Sequence, residues 1–98
     1  MDDDTKLLNL ALDAGEIMLT SGAETYRVQD TMLRILSVSG RKHVEALALS
    51  TMLIASLPRE EKGPPSMARG VSDRSVNFEK ICAVNNMSRS FVAGKITL

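Results

Sequence analysis

Apolar residues recur at helical spacing from Leu7 to Leu36. Past Gly40 they gather instead into a run of small and branched side chains from Val44 to Leu57, flanked by Lys42-His43 and Pro58-Arg59. That switch of period calls for helices followed by strand, and so for an α+β fold in which a sheet packs on helices. The spacing predicts a first helix over Thr5 to Thr20, with Asp2, Asp3 and Asp4 complementing the positive end of its dipole. Leu7, Leu10, Ala11, Ala14, Ile17 and Met18 form one face, and Leu8, Leu12 and Leu19 widen it past half the circumference, which implies contact on two sides. A second helix, from about Gly22 to Ser39, turns Val28, Met32, Ile35 and Leu36 inward and ends at Gly40, a good left-handed cap; the two helices form a hairpin.

The Val44 to Leu57 run reads as strand, in two pieces if the chain breaks at Ser50-Thr51, or as one long bent strand, since no glycine or asparagine marks a tight turn there. Pro58 to Pro65 is a charged, proline-rich loop, and Met67 to Asp73 is a weaker strand candidate containing Gly70. A closing helix is predicted over Val76 to Val92, capped by Ser75 or Asp73 and ended by Gly94. The architecture expected is two helices, a short sheet of two or three strands, and a C-terminal helix.

The size allows one domain: a chain of 98 residues buries roughly two-thirds of its unfolded surface around a single core. Twelve basic and twelve acidic residues cancel, which removes the broad positive footprint of a nucleic-acid binder. The absence of tryptophan, with one tyrosine and two phenylalanines, leaves few platforms on which bases could stack. Cys82 is the only cysteine, so no internal disulfide is possible and a reducing compartment fits. The start Met1-Asp2-Asp3-Asp4 is acidic where a secretory signal would be basic, and Ala46 to Leu57 falls short of the roughly 20 apolar residues that span a bilayer.

Two places carry more polarity than packing asks for. In Ser21 to Thr31, Glu24, Thr25, Tyr26, Arg27, Asp30 and Thr31 share about three turns of helix, and Ser21 with Glu24 reads as a capping box that sets the helix start. The plain account of Glu24, Arg27, Asp30 and Arg34 is a solvated face with helix-spaced ion pairs. In the closing helix, Phe78, Ile81, Cys82 and Val92 define an apolar stripe, and Asn85 and Arg89 fall in its middle. A buried amide and guanidinium need partners, and Glu24 and Asp30 are the carboxylates at hand. The plain account there is a structural network. Cys82 reads as a buried, inert thiol, and His43 as an exposed residue at a strand edge. No nucleophile elbow, paired metal ligands, calcium loop or phosphate loop occurs, so neither a metal nor a cofactor is expected.

With these residues in view, the chain resembles the amino-terminal cytoplasmic domain of the threonine/serine exporter family, bacterial and fungal membrane proteins that carry this domain ahead of a transmembrane bundle. The resemblance runs through Ala14-Gly15-Glu16-Ile17-Met18-Leu19, Ser21 to Thr31, Arg74-Ser75-Val76-Asn77-Phe78-Glu79-Lys80-Ile81 and Val84-Asn85-Asn86-Met87-Ser88-Arg89. It departs at Ser50-Thr51, where the family has a Pro-Thr pair, and at Gln29, which replaces an acid.

The resemblance implies that residues 1–98 form a single domain preceding a membrane-spanning part, on the cytoplasmic face of the cell membrane. It also implies export of small polar amino acids, or of small dicarboxylates in related members. Glu24, Thr25, Arg27, Asp30, Arg74, Asn77, Asn85 and Arg89 are then expected to line a polar cleft between the second and third helices, serving substrate recognition or gating. The alternative is a hydrolase-like domain acting on a small amino-acid or peptide substrate. The acids and arginines read more naturally as a hydrogen-bonded network than as nucleophile, base and oxyanion site, which favours the module over the enzyme. The expected partners are a small polar amino acid or dicarboxylate and the transmembrane part of the same protein, with no nucleic acid. The broad face of the first helix also points to a homo-oligomer.

Overall fold

A computed structural model describes residues 3–58, 66–71 and 78–94, and within the last segment the side chains of Val84 and of 86–94. Helix α1 spans Asp3–Thr20, α2 spans Thr25–Leu36 and runs into a 3₁₀ turn at Ser37–Ser39, strands β1, β2 and β3 span Glu45–Ala48, Met52–Ser56 and Ser66–Gly70, and α3 spans Phe78–Val92. The order of elements is the α+β arrangement expected from the sequence. The cap expected at Ser75 or Asp73, the proline-rich stretch 59–65 and the side chain of Cys82 lie outside the described residues.

The junction between α1 and α2 differs from the capping-box expectation. The Ala23 amide donates to the Met18 carbonyl at 2.9 Å and the Gly22 amide to the Leu19 carbonyl at 3.1 Å, with Gly22 at φ 95°. This is a Schellman motif that ends α1, and it places Ala23, which is buried, as its apolar partner. Ser21 therefore closes the first helix instead of opening the second. Helix α2 starts at Thr25, with Glu24 as an extended N-cap residue whose carbonyl accepts from the Arg27 and Val28 amides and whose side chain makes no cap bond. The left-handed freedom of Gly22 outweighs the Ser-x-x-Glu spacing. At the far end, Gly40 at φ 74° donates to the Ser37 carbonyl and stops the chain where its sequence suggests.

The strands form an antiparallel meander in the order β1-β2-β3. Ala48 faces Leu53, and the Leu49 amide donates to the Met52 carbonyl at 2.9 Å, so Ser50-Thr51 is a two-residue turn and the Val44 to Leu57 run is two strands. Neither turn residue has positive φ, so the turn is not one of the primed types. The Val71 amide, donating to the Thr51 carbonyl at 2.9 Å, continues the β2–β3 ladder past the turn and braces it.

The core lies between this sheet and the helical hairpin, with α3 packed against both α1 and α2. Leu8, Leu12, Met18, Leu19, Val28, Met32, Ile35, Leu36, Leu53 and Leu57 are fully buried. Gly15 lets the hairpin close, because a Cβ there would stand 2.8 Å from Met32 Sδ and 3.1 Å from Leu53 Cδ1. Of the broad α1 face, Leu10 is only half-buried and Ile17 is exposed.

Polar clasps tie the layers. Arg41 reaches both oxygens of Asp4 at 2.7 and 2.8 Å and the Leu57 carbonyl at 3.3 Å, joining the α2–β1 connection, the start of α1 and the end of β2. Arg69 on β3 donates to Asp13, to Glu16 at 3.3 Å and to Asn9 at 3.2 Å along α1. Gln29 on α2 accepts from the Ala48 amide at 3.1 Å, occupying a donor on the outer edge of β1. Gln29 thus holds the sheet to α2.

Candidate functional site

Over the described side chains the buried face of α3 is shifted by one residue from the expected stripe, whose Phe78, Ile81 and Cys82 side chains lie outside the described residues. Val84, Ser88 and Phe91 are buried, at the helical spacing of four and three, whereas Val92 and Arg89 are exposed. The larger Phe91 takes the inward place that the pattern gave to Val92, and one residue is about 100° of helix turn. Arg89 consequently leaves the middle of the stripe for its flank and needs no buried counter-charge. It makes no ion pair with Glu24 or Asp30 among the described residues.

On that flank Arg89 faces the outer side of α2. Tyr26, Arg27, Asp30, Thr31 and Arg34 from α2 and Arg89 from α3 line an open cleft of about 390 Å³. The α2 residues meet there because positions 27, 30, 31 and 34 recur at helical spacing on one side of the helix. Thr31, between Arg27 and Arg34 on this side of the helix, is buried because α3 lies over it. Tyr26 is 66% exposed and stands at the rim.

Asp30 and Arg34 form a helix-spaced ion pair at 3.1 Å with both side chains substantially exposed. Three guanidiniums and one carboxylate give the described lining a formal charge of +2. With Asp30 engaged by Arg34, the excess positive charge belongs to Arg27 and Arg89, one on each wall. Guanidinium forks of this kind suit carboxylate or phosphate oxygens.

Of the residues expected in a cleft, Arg27, Asp30 and Arg89 come together in this one. Glu24 and Thr25 stand at the start of α2 and do not line it, Glu24 being exposed and Thr25 half-buried. Asn85 lies one turn before Arg89 on α3, with its side chain outside the described residues, and Arg74 and Asn77 lie outside them altogether. Tyr26, Thr31 and Arg34 were not among the expected site residues. Their spacing with Arg27 and Asp30 is a signal for all three, but it says nothing of which neighbour closes the cleft. Among the described residues no cluster of His, Cys, Asp and Glu is placed to hold a metal, and His43 does not reach the cleft.

The class these features define is a small α+β domain with a cationic cleft between two helices. The chain belongs to the ThrE family, whose model, described as "Putative threonine/serine exporter", matches residues 9–98. No curated protein and no solved structure matches it. The family is one of amino-acid exporters and so associates this chain with a membrane, although among the described residues no helix is long and apolar enough to cross one.

Proposed function

We propose that this domain is a recognition and gating module of a membrane exporter of small polar metabolites, lying on the cytoplasmic side of the membrane and acting on a transmembrane part of the same protein. The observation that carries the reading is the convergence of Arg89 from α3 with Arg27, Asp30 and Arg34 from α2 in one cleft. Occupation of such a cleft changes the packing of α3 on α2, and a domain that responds to a metabolite by shifting one helix is suited to control a neighbouring pore. The arginines supply recognition of anionic oxygens, and threonine, serine and small dicarboxylates, all of which carry a carboxylate, are the first ligands to test. In the described lining Asp30 is engaged by Arg34 in an ion pair, so the carboxylate there is held by a guanidinium and not by a hydroxyl it would activate, which supports recognition over hydrolysis.

The test is export by the full-length protein in cells loaded with threonine, paired with thermal unfolding of the 98-residue chain in threonine, serine and succinate. The reading expects Arg27→Gln and Arg89→Gln to change the export rate severalfold while leaving the unfolding temperature of the unliganded chain within about 2 °C, as surface changes do. Unchanged export in both variants contradicts it.

A further inference from the structure

We infer that the α2–α3 cleft takes a small phosphate monoester, an effector distinct from the exported cargo. The inference rests on the reading of the cleft as a recognition site and names the ligand class of that same site. Its ground is the charge balance of the described lining. Asp30 is paired with Arg34 at 3.1 Å, which leaves Arg27 and Arg89, one on each wall, as the guanidiniums of the described lining without an ion pair. A zwitterionic amino acid carries no net charge and leaves both positive charges standing. A dianion neutralises them.

The distribution of that dianion's charge matters as well. A dicarboxylate spreads its two charges along a chain, so either carboxylate brings a single charge to the two forks. A phosphate monoester gathers both charges and three acceptor oxygens on one phosphorus, so one fork from each wall can donate to the same group. Tyr26, two-thirds exposed at the rim, gives the organic part of the ester an amphipathic surface to lie on. Among the described residues the charged and titratable groups facing the ligand are Tyr26, Arg27, Asp30 and Arg34 from α2 and Arg89 from α3, and the ligand's own second ionisation near pH 6 sets the charge it brings to them.

Calorimetric titration of the 98-residue chain with O-phosphoserine and glycerol phosphate, and with serine and succinate as comparators, tests the assignment. Both phosphate esters are expected to bind at least about tenfold more tightly than serine or succinate at pH 7.5, and severalfold more weakly at pH 5. Arg27→Gln and Arg89→Gln should each weaken O-phosphoserine by about tenfold. Arg89→Lys should recover only part of the loss, since it restores a charge but not a fork. His43→Ala should change nothing, and circular dichroism of each variant confirms the fold. Serine or succinate binding as tightly as the phosphate esters overturns the phosphate assignment and leaves the recognition reading intact. No binding by either phosphate ester overturns the phosphate assignment, and if export is also unchanged in both arginine variants the recognition reading falls with it.

Discussion

Gly22 decides where the first helix ends. Its φ of 95° carries the Schellman bonds from Ala23 to Met18 and from Gly22 to Leu19. Any side chain there meets the left-handed penalty, so Gly22→Ala should lower stability by about 1 kcal/mol, read as a shift in the urea midpoint at unchanged slope. Gly15 acts differently, through space and not through dihedral freedom. A Cβ would approach Met32 Sδ to 2.8 Å, and Met32 is fully buried. Gly15→Val should therefore cost about 2 kcal/mol by overpacking, and Met32→Ala in the same chain should recover part of it, giving a coupling that a double-mutant cycle measures. The two glycines were unequally legible. Gly22 was visible as a break, but Ser-Gly-Ala-Glu fits both a helix end and a helix start, and local spacing cannot choose between them. Gly15 sits within an apolar helix, and nothing in its neighbours announces a close approach to residue 32, which depends on how the hairpin crosses.

At the scale of elements, periodicity gave the helices and the strand region, whereas rotations and connections depended on partners far along the chain. The split of Val44 to Leu57 into two strands turns on Ser50-Thr51, a turn without positive φ that the β3 backbone braces through Val71 and Thr51. The rotation of α3 turns on which of Phe91 and Val92 enters the core, and both satisfy the same pattern to within one residue. The polar clasps were unreadable for a similar reason, since Arg69 binds residues more than fifty positions earlier. Arg69→Met removes the ties from β3 to α1. It should cost about 1 kcal/mol at low salt, a modest figure because Asp13 and Glu16 are well exposed, and the loss should shrink in 1 M salt. Equal losses at both salt concentrations would assign the effect to packing of the arginine stem.

For the whole molecule, the sheet, the α1–α2 hairpin and α3 stack so that one flank of α3 overlooks the charged side of α2. The polar segment at α2 was legible from its composition. Arg89 was legible as a residue that packing did not require, but for a reason the fold corrects: it is exposed on a cleft, and not buried in want of a partner. What joins Arg89 to Arg27 and Asp30 is the docking of α3 on α2, a tertiary fact with no local signature. The central claim is that this cleft is a binding site. It is tested most directly by following backbone amide resonances of the 98-residue chain while O-phosphoserine, threonine or succinate is added. The account predicts saturable shifts concentrated at Tyr26 to Arg34 and around Arg89, lost in Arg89→Gln. Shifts absent with every ligand, or confined to residues away from α2 and α3, would contradict it.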